Sequence, residues 1–182
     1  MDHLESVVEI KSIINPQFIE NILPFVKKRS KQNLHVAGGV RTDIRNVEGY
    51  HLKMDGTPTD LFYWNYIKAE ITRLYTYYKG KFPLMINSKI NQIDLLKYRV
   101  GGKYNVHTDH FAKGPRHVSV IMNLNDDYEG GDLVFTDQKE KEIKRLKLTK
   151  GSIVFFPSNF MYPHGIQPIT KGTRYSIVSW LQ

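Results

Sequence analysis

A histidine and a carboxylate two residues apart give the stretch 98–109 the residue types of a metal site. It reads Tyr-Arg-Val-Gly-Gly-Lys-Tyr-Asn-Val-His-Thr-Asp and ends in His107 and Asp109. On an extended strand, side chains two residues apart point to the same side, so this imidazole and this carboxylate can bind one ion. The same pair is also typical of a solvated polar strand end, so it needs a further ligand to indicate a metal site.

A second histidine far along the chain completes a candidate ligand set. His164 follows the predicted strand 152–156. In a jelly roll, strands that are distant in sequence face one another across the barrel mouth, so we expect His164 to meet His107 and Asp109. Two imidazoles and one carboxylate leave three positions of an octahedral ion open, as a non-haem Fe(II) oxygenase requires for a bidentate cosubstrate and dioxygen. The same ligands also suit a catalytic zinc ion.

Arg174, ten residues beyond His164, favours the oxygenase over a zinc hydrolase. It lies in an otherwise apolar final strand, predicted at 173–181. A guanidinium that faces a barrel interior must be paired, and a dicarboxylate cosubstrate would supply a partner in bidentate geometry. If Arg174 faces outward instead, it is an ordinary strand charge, and the period of the strand does not decide between the two orientations.

Composition limits both the metal chemistry and the class of protein. The 182 residues include no cysteine, so disulfides are excluded and any metal must be held by His, Asp or Glu. Hydrophobic residues make up 41% and charged residues 24%, as in ordinary globular domains. The formal net charge of +8 could attract nucleic acid or an acidic protein. The basic residues are spread along the chain, which favours solvated surface, with dense clusters only at 27–31 and 139–150.

Chain length and hydropathy predict a single domain, residues 1–182, and no membrane partner. No apolar run approaches the roughly 20 residues that span a bilayer. The start, Met-Asp-His-Leu-Glu-Ser, has acidic residues where a secretory signal would have a basic region. We therefore expect a cytoplasmic location, in the host cytosol if the protein is viral. The sequence does not predict an oligomeric state.

Two helices are predicted in the first part of the chain. Asn15 and Pro16 form a start signal, after which apolar residues recur at helical spacing to about Lys31. Thr57 starts a second helix, whose apolar residues follow at steps of three and four until Gly80 closes the run. Between the helices, an irregular segment at 38–56 with a strand near 50–54 is either a substrate-covering loop or a plain surface connection.

After Pro83 the pattern changes to short segments rich in Val, Ile, Phe, Tyr and Leu. The predicted strands are 84–99, 104–108, 116–124, 132–136, 142–148, 152–156, 163–169 and 173–181. Strands of this length with regular turn signals predict a β-sandwich or jelly roll. The fold class is therefore α+β, mainly β, with helical support over about 1–82 packed on one sheet and a β core over about 83–182.

Four sequence blocks, in their order and spacing, carry a family resemblance. They are residues 98–109, residues 116–133 with Asn-Leu-Asn and Tyr-Glu-Gly-Gly-Asp, residues 151–164, and residues 172–175. Together they closely resemble the prolyl 4-hydroxylase group of 2-oxoglutarate and Fe(II)-dependent dioxygenases, in the small form known from bacteria and viruses. The resemblance covers the β-rich half of the chain and extends weakly to the helices.

The resemblance implies a double-stranded β-helix that binds Fe(II) and 2-oxoglutarate. In the family pattern, His107, Asp109 and His164 hold the metal, and Arg174 binds the far carboxylate of 2-oxoglutarate. Collagen-type relatives usually have lysine at this last position, whereas oxygen-sensing and many bacterial and viral relatives have arginine.

Four further residues match pocket positions of the family. The resemblance implies that the Tyr98 hydroxyl and Ser119 help to bind 2-oxoglutarate, and that Tyr104 and Trp180 line the pocket. These two aromatic residues would equally suit a plain core. Asn123 stands where oxygen-sensing hydroxylases carry a tyrosine that contacts the same carboxylate, so no such role is carried over to it.

The activity that the resemblance implies is hydroxylation of a peptidyl side chain, with proline 4-hydroxylation as the leading expectation. Dioxygen would be the oxidant, succinate and carbon dioxide the co-products, and ascorbate the reductant that maintains the iron. The expected partner is a proline-containing peptide or protein. The net charge of +8 keeps nucleic acid, or a free small molecule, as a less favoured substrate class. A non-catalytic binding module is a third hypothesis, and the complete residue set argues against it.

Overall fold

Short antiparallel strands make up most of the structure, and two helices lie against one side of them. The computed structural model describes residues 3–34, 39–83, 85, 88–110 and 114–182. Its helices are a 3-10 turn at His3–Ser6, α1 at Pro16–Arg29 and α2 at Pro58–Lys81. No helix in these ranges is both long and apolar enough to cross a membrane. The strands in these ranges are β1 (Val8–Ile10), β2 (Gln32–Asn33), β3 (Arg45–Asn46), β4 (Glu48–His51), β5 (Ile90–Tyr98), β6 (Lys103–His107), β7 (Val118–Asn123), β8 (Glu129–Gly130), β9 (Leu133–Thr136), β10 (Glu142–Leu146), β11 (Ile153–Pro157), β12 (His164–Ile166), β13 (Ile169–Lys171) and β14 (Arg174–Leu181).

Two antiparallel sheets enclose an apolar interior. The larger sheet has the strand order β1-β11-β7-β14-β5-β4-β2, and the smaller has the order β10-β9-β12-β6-β3. A hydrophobic cluster between them combines Leu96 and Ile121 of the larger sheet with Phe135 and Ile166 of the smaller. Because strands from both halves of the chain interleave in each sheet, residues distant in sequence meet inside the barrel.

Both helices pack on the outer face of the larger sheet. Asn15 caps α1, and Thr57 and Asp60 form a reciprocal capping box at the start of α2. The buried sides of the helices join Ile93 of β5 and Phe155 of β11 in a second hydrophobic cluster. Since side chains alternate across a strand, the same strands present their other side chains to the barrel interior.

The predicted helices are confirmed, with small differences at their ends. α1 ends at Arg29, before the expected Lys31, and α2 ends at Lys81, one residue beyond Gly80. The strand expected near 50–54 lies slightly earlier, as β4. Gly38, at the start of the predicted irregular segment, lies outside the described residues.

The predicted strands differ from the structure in three ways. The segment 84–99 contains β5, which begins only at Ile90, and residues 84, 86 and 87 lie outside the described part of the chain. The segment 163–169 is two strands, because Pro168 has no N–H to continue the ladder. The sequence analysis also missed strands β1, β2, β3 and β8, which are too short to show alternation. The first part of the chain is therefore not only helical, and its division from the β core stays a prediction.

Acidification should remove the stabilising contribution of Asp60, which is almost fully buried at the start of α2. Its carboxylate accepts hydrogen bonds from the Thr57 N–H (2.8 Å) and the Tyr50 hydroxyl (2.9 Å), and Arg29 lies 3.4 Å away. Burial alone would raise the pKa of Asp60, but these hydrogen bonds and this charge outweigh burial and lower it. A lowered pKa in the folded state stabilises the fold above the unfolded value of about 4, and this stabilisation is lost as the pH falls through the folded value.

We expect Asp60→Asn to lower the free energy of unfolding by about 1–3 kcal/mol at pH 7. The difference from the parent protein should shrink in acid, because the parent then loses its own carboxylate charge. Urea unfolding at pH 7 and near pH 3.5 measures both effects. Asp55→Asn, at an exposed position nearby, is the matched control and should change neither value. Equal destabilisation by Asp60→Asn at both pH values would contradict this account.

Candidate metal centre

The two histidines of the candidate ligand set lie on neighbouring strands. His107 ends β6 and His164 begins β12, and the two residues are direct partners in the antiparallel register. Asp109 follows two residues after His107. The expectation that His164 would face the other two residues across the barrel mouth was therefore wrong in detail, because β6 and β12 are adjacent in the smaller sheet. The register itself brings the imidazoles together.

The three side chains converge on one point. One ligand atom from each of His107, Asp109 and His164 lies within 4.8 Å of the others. The Nε2 atom of His107 is 3.4 Å from Oδ1 of Asp109, and Nε2 of His164 is 3.5 Å from Oδ2. These separations suit three donors on one side of a divalent cation, which would leave the opposite side to other ligands.

Backbone carbonyls orient both imidazoles. Nδ1 of His107 lies 2.9 Å from the Asn105 carbonyl oxygen, and Nδ1 of His164 lies 3.1 Å from that of Tyr162. A carbonyl oxygen can only accept, so each Nδ1 carries the proton and donates it. Each Nε2 is then left with its lone pair directed at the point shared with Asp109, which is the arrangement of a metal-binding histidine.

The local electrostatics keep the ligands in their metal-binding protonation states. Burial opposes the charge of Asp109, but the two histidines and a hydrogen bond from the Ser119 hydroxyl (2.7 Å) outweigh it and hold the pKa of Asp109 far below its ordinary value. Burial, with repulsion from His107, lowers the pKa of His164 to about 4. At neutral pH the set therefore has an ionised carboxylate and a neutral His164, as metal binding requires.

Arg174 is buried in the barrel with most of its guanidinium unpaired. Its Nε donates to Oδ1 of Asn123 at 3.2 Å, whereas Nη1 and Nη2 have no hydrogen-bond partner in the part of the chain that the structure describes. Arg174 is the register partner of Tyr98, and its guanidinium lies 5.3 Å from the centre of that ring. A buried cation with two free donors is costly unless an anion pairs with it, so the residues fit a bidentate carboxylate.

The structure brings all eight predicted site residues to the wall of one pocket. These residues are Tyr98, Tyr104, His107, Asp109, Ser119, His164, Arg174 and Trp180. The ring of Tyr104 stacks on His107 with 3.6 Å between centroids. Ser119 lies beside Asp109 and not beside Arg174, because it is at the opposite end of β7 from Asn123. The part in cosubstrate binding that the resemblance implies for Ser119 stays a prediction, and the observed contact of its hydroxyl is with Asp109.

The sequence analysis gave no role to three residues that shape this pocket. Asn123 donates from its amide nitrogen to the carbonyl oxygens of Asn125 and Leu148, at 2.6 and 3.1 Å, so its Oδ1 is free to accept from Arg174. Alternation along β7 from Ser119 would have placed Asn123 on the inner face. The other two residues are Arg45, which lines the pocket, and Arg116, which contacts the pocket residue Trp180.

Arg45 lines the pocket, and Arg116 brings a further positive charge close to it by contact with the pocket residue Trp180. The Arg45 guanidinium lies 4.8 Å from the centre of the Tyr104 ring, and that of Arg116 lies 3.7 Å from the centre of the Trp180 ring. Arg116 also lies 3.5 Å from the carbonyl oxygen of Asp109. Neither arginine belongs to a strong local pattern, so only the folded structure assigns them to the site.

Comparison with known proteins decides which family this site belongs to. The sequence profile described as the 2OG-Fe(II) oxygenase superfamily matches residues 93–182, which include Arg174 and the candidate ligands His107, Asp109 and His164. These residues form a 2OG-Fe(II) oxygenase domain. The profile match agrees with the predicted resemblance, and such a domain uses Fe(II) and 2-oxoglutarate.

Curated relatives of the oxygenase domain are hydroxylases. The chain is 32% identical over 100 residues to a PKHD-type hydroxylase of Gloeothece citriformis, an alignment that covers 52% of this chain and 44% of the relative. It is 36% identical over 98 residues to a PKHD-type hydroxylase of a Synechococcus strain, with 52% and 42% covered. The chain thus spans less than half the length of these relatives.

A solved structure with the same fold covers the whole chain. The crystal structure of a Pseudomonas putida prolyl-4-hydroxylase has a TM-score of 0.77 and 19% identity, and it matches 100% of this chain and 96% of its own. The match, together with the two facing sheets, confirms the predicted jelly-roll fold, mainly β with helices on one sheet.

Proposed function

We propose that this protein is a 2-oxoglutarate- and Fe(II)-dependent dioxygenase that hydroxylates a side chain of a peptide or protein, with proline as the target residue. The observation that carries the proposal is the pairing of two features in one pocket. One is the cluster of His107, Asp109 and His164, and the other is buried Arg174, whose two Nη atoms have no hydrogen-bond partner among the described residues. A zinc hydrolase would need the first feature and has no use for the second.

The two features divide the binding of the cofactors between them. His107, Asp109 and His164 would hold Fe(II), and Arg174 would bind the far carboxylate of 2-oxoglutarate, with the Tyr98 ring beside it. When bound, iron, 2-oxoglutarate and dioxygen supply the oxidation, which yields succinate and carbon dioxide and inserts one oxygen atom into a C–H bond of the substrate. The side chains of this protein would hold the iron and 2-oxoglutarate in place beside the substrate.

The pocket walls are suited to exclude water from this oxidation. Leu96 and Ile121 are buried, and Ile166 and Val178 line the pocket with them. Apolar walls keep water from the reacting groups, and they strengthen the attraction between Arg174 and a carboxylate. Asn123 holds the guanidinium through Nε, so the two Nη atoms keep a fixed direction without help from the ligand.

A peptide substrate is supported by the solved relatives. A prolyl hydroxylase of Trichoplax adhaerens, solved in complex with a peptide fragment of the hypoxia inducible factor oxygen degradation domain, has a TM-score of 0.78 and 19% identity over 99% of this chain and 86% of its own. In the present protein, the Arg116 guanidinium lies over the ring of the pocket residue Trp180, and the Arg45 guanidinium lies over the ring of Tyr104. These two arginine–aromatic pairs would hold an extended peptide while one of its side chains enters the pocket. Ascorbate as a reductant and a cytoplasmic location stay predictions.

The proposal is tested by turnover with a peptide panel. Purified protein with Fe(II), 2-oxoglutarate, ascorbate and proline-rich peptides should form succinate and add one oxygen atom to a peptide, as read by mass spectrometry. The same peptides with each proline replaced by alanine are the control and should remain unmodified. Oxygen added to the alanine peptides would contradict proline as the target, and absence of 2-oxoglutarate turnover with every peptide would contradict the oxygenase proposal.

A further inference from the structure

A second cleft lies at the edge of the larger sheet, apart from the metal pocket. It is bounded by the end of α1, by β2 and by β4, and has a volume of about 520 Å³. This volume is within the range that takes small ligands or a short stretch of peptide. The cationic residues that line it are Lys28, Arg29, Lys31, His51 and Lys53. We call this cleft the basic cleft.

Three of these cations have no compensating charge. Lys28, Lys31 and Lys53 are exposed and make no ion pair with any residue that the structure describes, whereas Arg29 lies 3.4 Å from Asp60 and His51 lies 2.6 Å from Asp94. Among the described residues, no aspartate or glutamate lines the cleft. The dipole of α1 accounts for a lysine in its last turn, but Lys31 and Lys53 lie outside the helix. The basic cleft therefore attracts anions.

The position of β2 suits an extended chain as the occupant. In the described residues, β2 is the last strand of the larger sheet and pairs only with β4. An open edge of a sheet is where an extended peptide adds as a further strand. The side chains of such a strand that point to the cleft would meet the three lysines, so carboxylate side chains would fit.

The aromatic content of the basic cleft argues against nucleic acid. Single-stranded nucleic acid binds by stacking its bases on open aromatic faces. Tyr50 is the only Phe, Tyr or Trp among the described residues that line the cleft. The Arg29 guanidinium lies 5.2 Å from the centre of its ring, and its hydroxyl donates to Asp60. This ring is thus already engaged on the face that Arg29 covers.

Direct contacts connect the basic cleft with the mouth of the metal pocket. Asp94, which binds His51 of the cleft, accepts hydrogen bonds from the Gln92 amide at 3.0 and 3.1 Å. Gln92 in turn accepts a hydrogen bond at 3.3 Å from Arg116, whose guanidinium lies over the ring of the pocket residue Trp180. Along β5, Asp94 and the pocket residue Tyr98 are four positions apart, which is about 13 Å on a strand. One extended peptide of modest length would reach both sites.

We infer that the basic cleft binds an acidic segment of the peptide or protein substrate, several residues away from the side chain that enters the metal pocket. The inference rests on the proposed function for the identity of the ligand as a substrate. The chemical class of the segment, an extended run with several carboxylates, rests on the cleft itself. The substrate of this enzyme would then be selected by charge at one site and hydroxylated at another.

The test measures how tightly the protein binds a fluorescent peptide of alternating glutamate and alanine. Binding is measured by fluorescence anisotropy at low salt. The cleft variant is Lys28→Glu with Lys31→Glu and Lys53→Glu. The control variant is Lys139→Glu with Lys141→Glu and Lys147→Glu, an equal change of charge at exposed positions of the other basic cluster. We expect the cleft variant to bind roughly tenfold more weakly than the parent protein, and the control variant to bind like the parent.

Several outcomes would overturn the inference. Equal weakening in both variants would show that only the net charge matters, and binding of a glutamine–alanine peptide as tight as that of the glutamate peptide would show that carboxylates are not recognised. A third outcome is that an oligonucleotide binds the parent protein more tightly than the acidic peptide does, and that this binding is lost in the cleft variant. That outcome would assign the cleft to nucleic acid. If the cleft variant does not fold, a triple variant with glutamine in place of glutamate at Lys28, Lys31 and Lys53 is used instead. It should also bind the acidic peptide more weakly than the parent protein does.

Turnover of 2-oxoglutarate, measured on the same proteins, separates this inference from the proposed function. Turnover with peptides but no binding of the acidic peptide would overturn the basic cleft alone. Binding of the acidic peptide that depends on the cleft, without turnover by any peptide, would overturn the proposed oxygenase activity and with it the identity of the ligand as a substrate.

Discussion

Arg174→Met is expected to weaken the binding of 2-oxoglutarate by at least about 100-fold, because a buried anion then loses its paired cation. Methionine keeps much of the side-chain length and removes the charge. Arg174→Lys should bind with intermediate affinity, since lysine keeps the charge but cannot form two parallel hydrogen bonds to one carboxylate. Calorimetric titration of 2-oxoglutarate into Mn(II)-loaded protein measures all three affinities.

The stability of Arg174→Met shows whether weaker binding of 2-oxoglutarate comes from the lost guanidinium or from a damaged fold. Removing a buried charge whose two Nη atoms have no partner in the described structure relieves a desolvation cost, while Asn123 loses one hydrogen bond worth about 1 kcal/mol. Arg174→Met should therefore be about as stable as the parent in the absence of 2-oxoglutarate. Arg145→Met, at a largely exposed ion pair with Glu142 and Asp132, is the control and should bind 2-oxoglutarate normally. Unchanged affinity in Arg174→Met would assign the cosubstrate to another place.

His164→Ala is expected to lower the affinity for Mn(II) or Fe(II) by more than about 100-fold and to abolish turnover. Loss of a partner that only orients a ligand typically lowers metal affinity by about 10- to 100-fold, and the loss of one of three ligands should exceed this. His164 is also the register partner of His107, so its removal opens the cluster on the β12 side. Titration with Mn(II), followed by electron paramagnetic resonance, measures the affinity directly.

The chain offers a matched control for this second prediction. His110 is exposed and follows Asp109 directly, but it does not belong to the cluster of three ligands. His110→Ala should bind Mn(II) like the parent, so a general effect of losing a histidine near the pocket is separated from loss of a ligand. Equal losses in the two variants, or no loss in His164→Ala, would contradict the assignment of the metal ligands.

The convergence of the candidate metal ligands was predictable because their geometry is local or fixed by the fold. The spacing of two between His107 and Asp109 on an extended chain predicted their convergence, and it is observed. Their approach to His164 depended on the order of strands in the smaller sheet, which no local pattern contains. The sequence therefore predicted that these residues would meet but placed them across the mouth instead of side by side on β6 and β12.

The supporting residues were less predictable because each depends on a contact with a distant strand. The inward direction of Arg174 was undecided from the period of β14, and the structure shows it buried beside Asn123 of β7. The contact of Ser119 with Asp109 was not predicted, and the part in cosubstrate binding that the resemblance implies for Ser119 stays a prediction. The basic cleft combines Lys28 and Lys31, near the end of α1, with Lys53, which lies more than 20 residues further along the chain in the predicted irregular segment. Strands β1, β2, β3 and β8 are too short for a period of two to be recognised.

A crystal structure of the protein with Mn(II) and 2-oxoglutarate tests the central claim most directly. The account predicts one anomalous scattering peak bound by Nε2 of His107, Nε2 of His164 and the carboxylate of Asp109. It also predicts the far carboxylate of 2-oxoglutarate on Nη1 and Nη2 of Arg174. Metal bound away from these three side chains, or 2-oxoglutarate with neither carboxylate on Arg174, would contradict it.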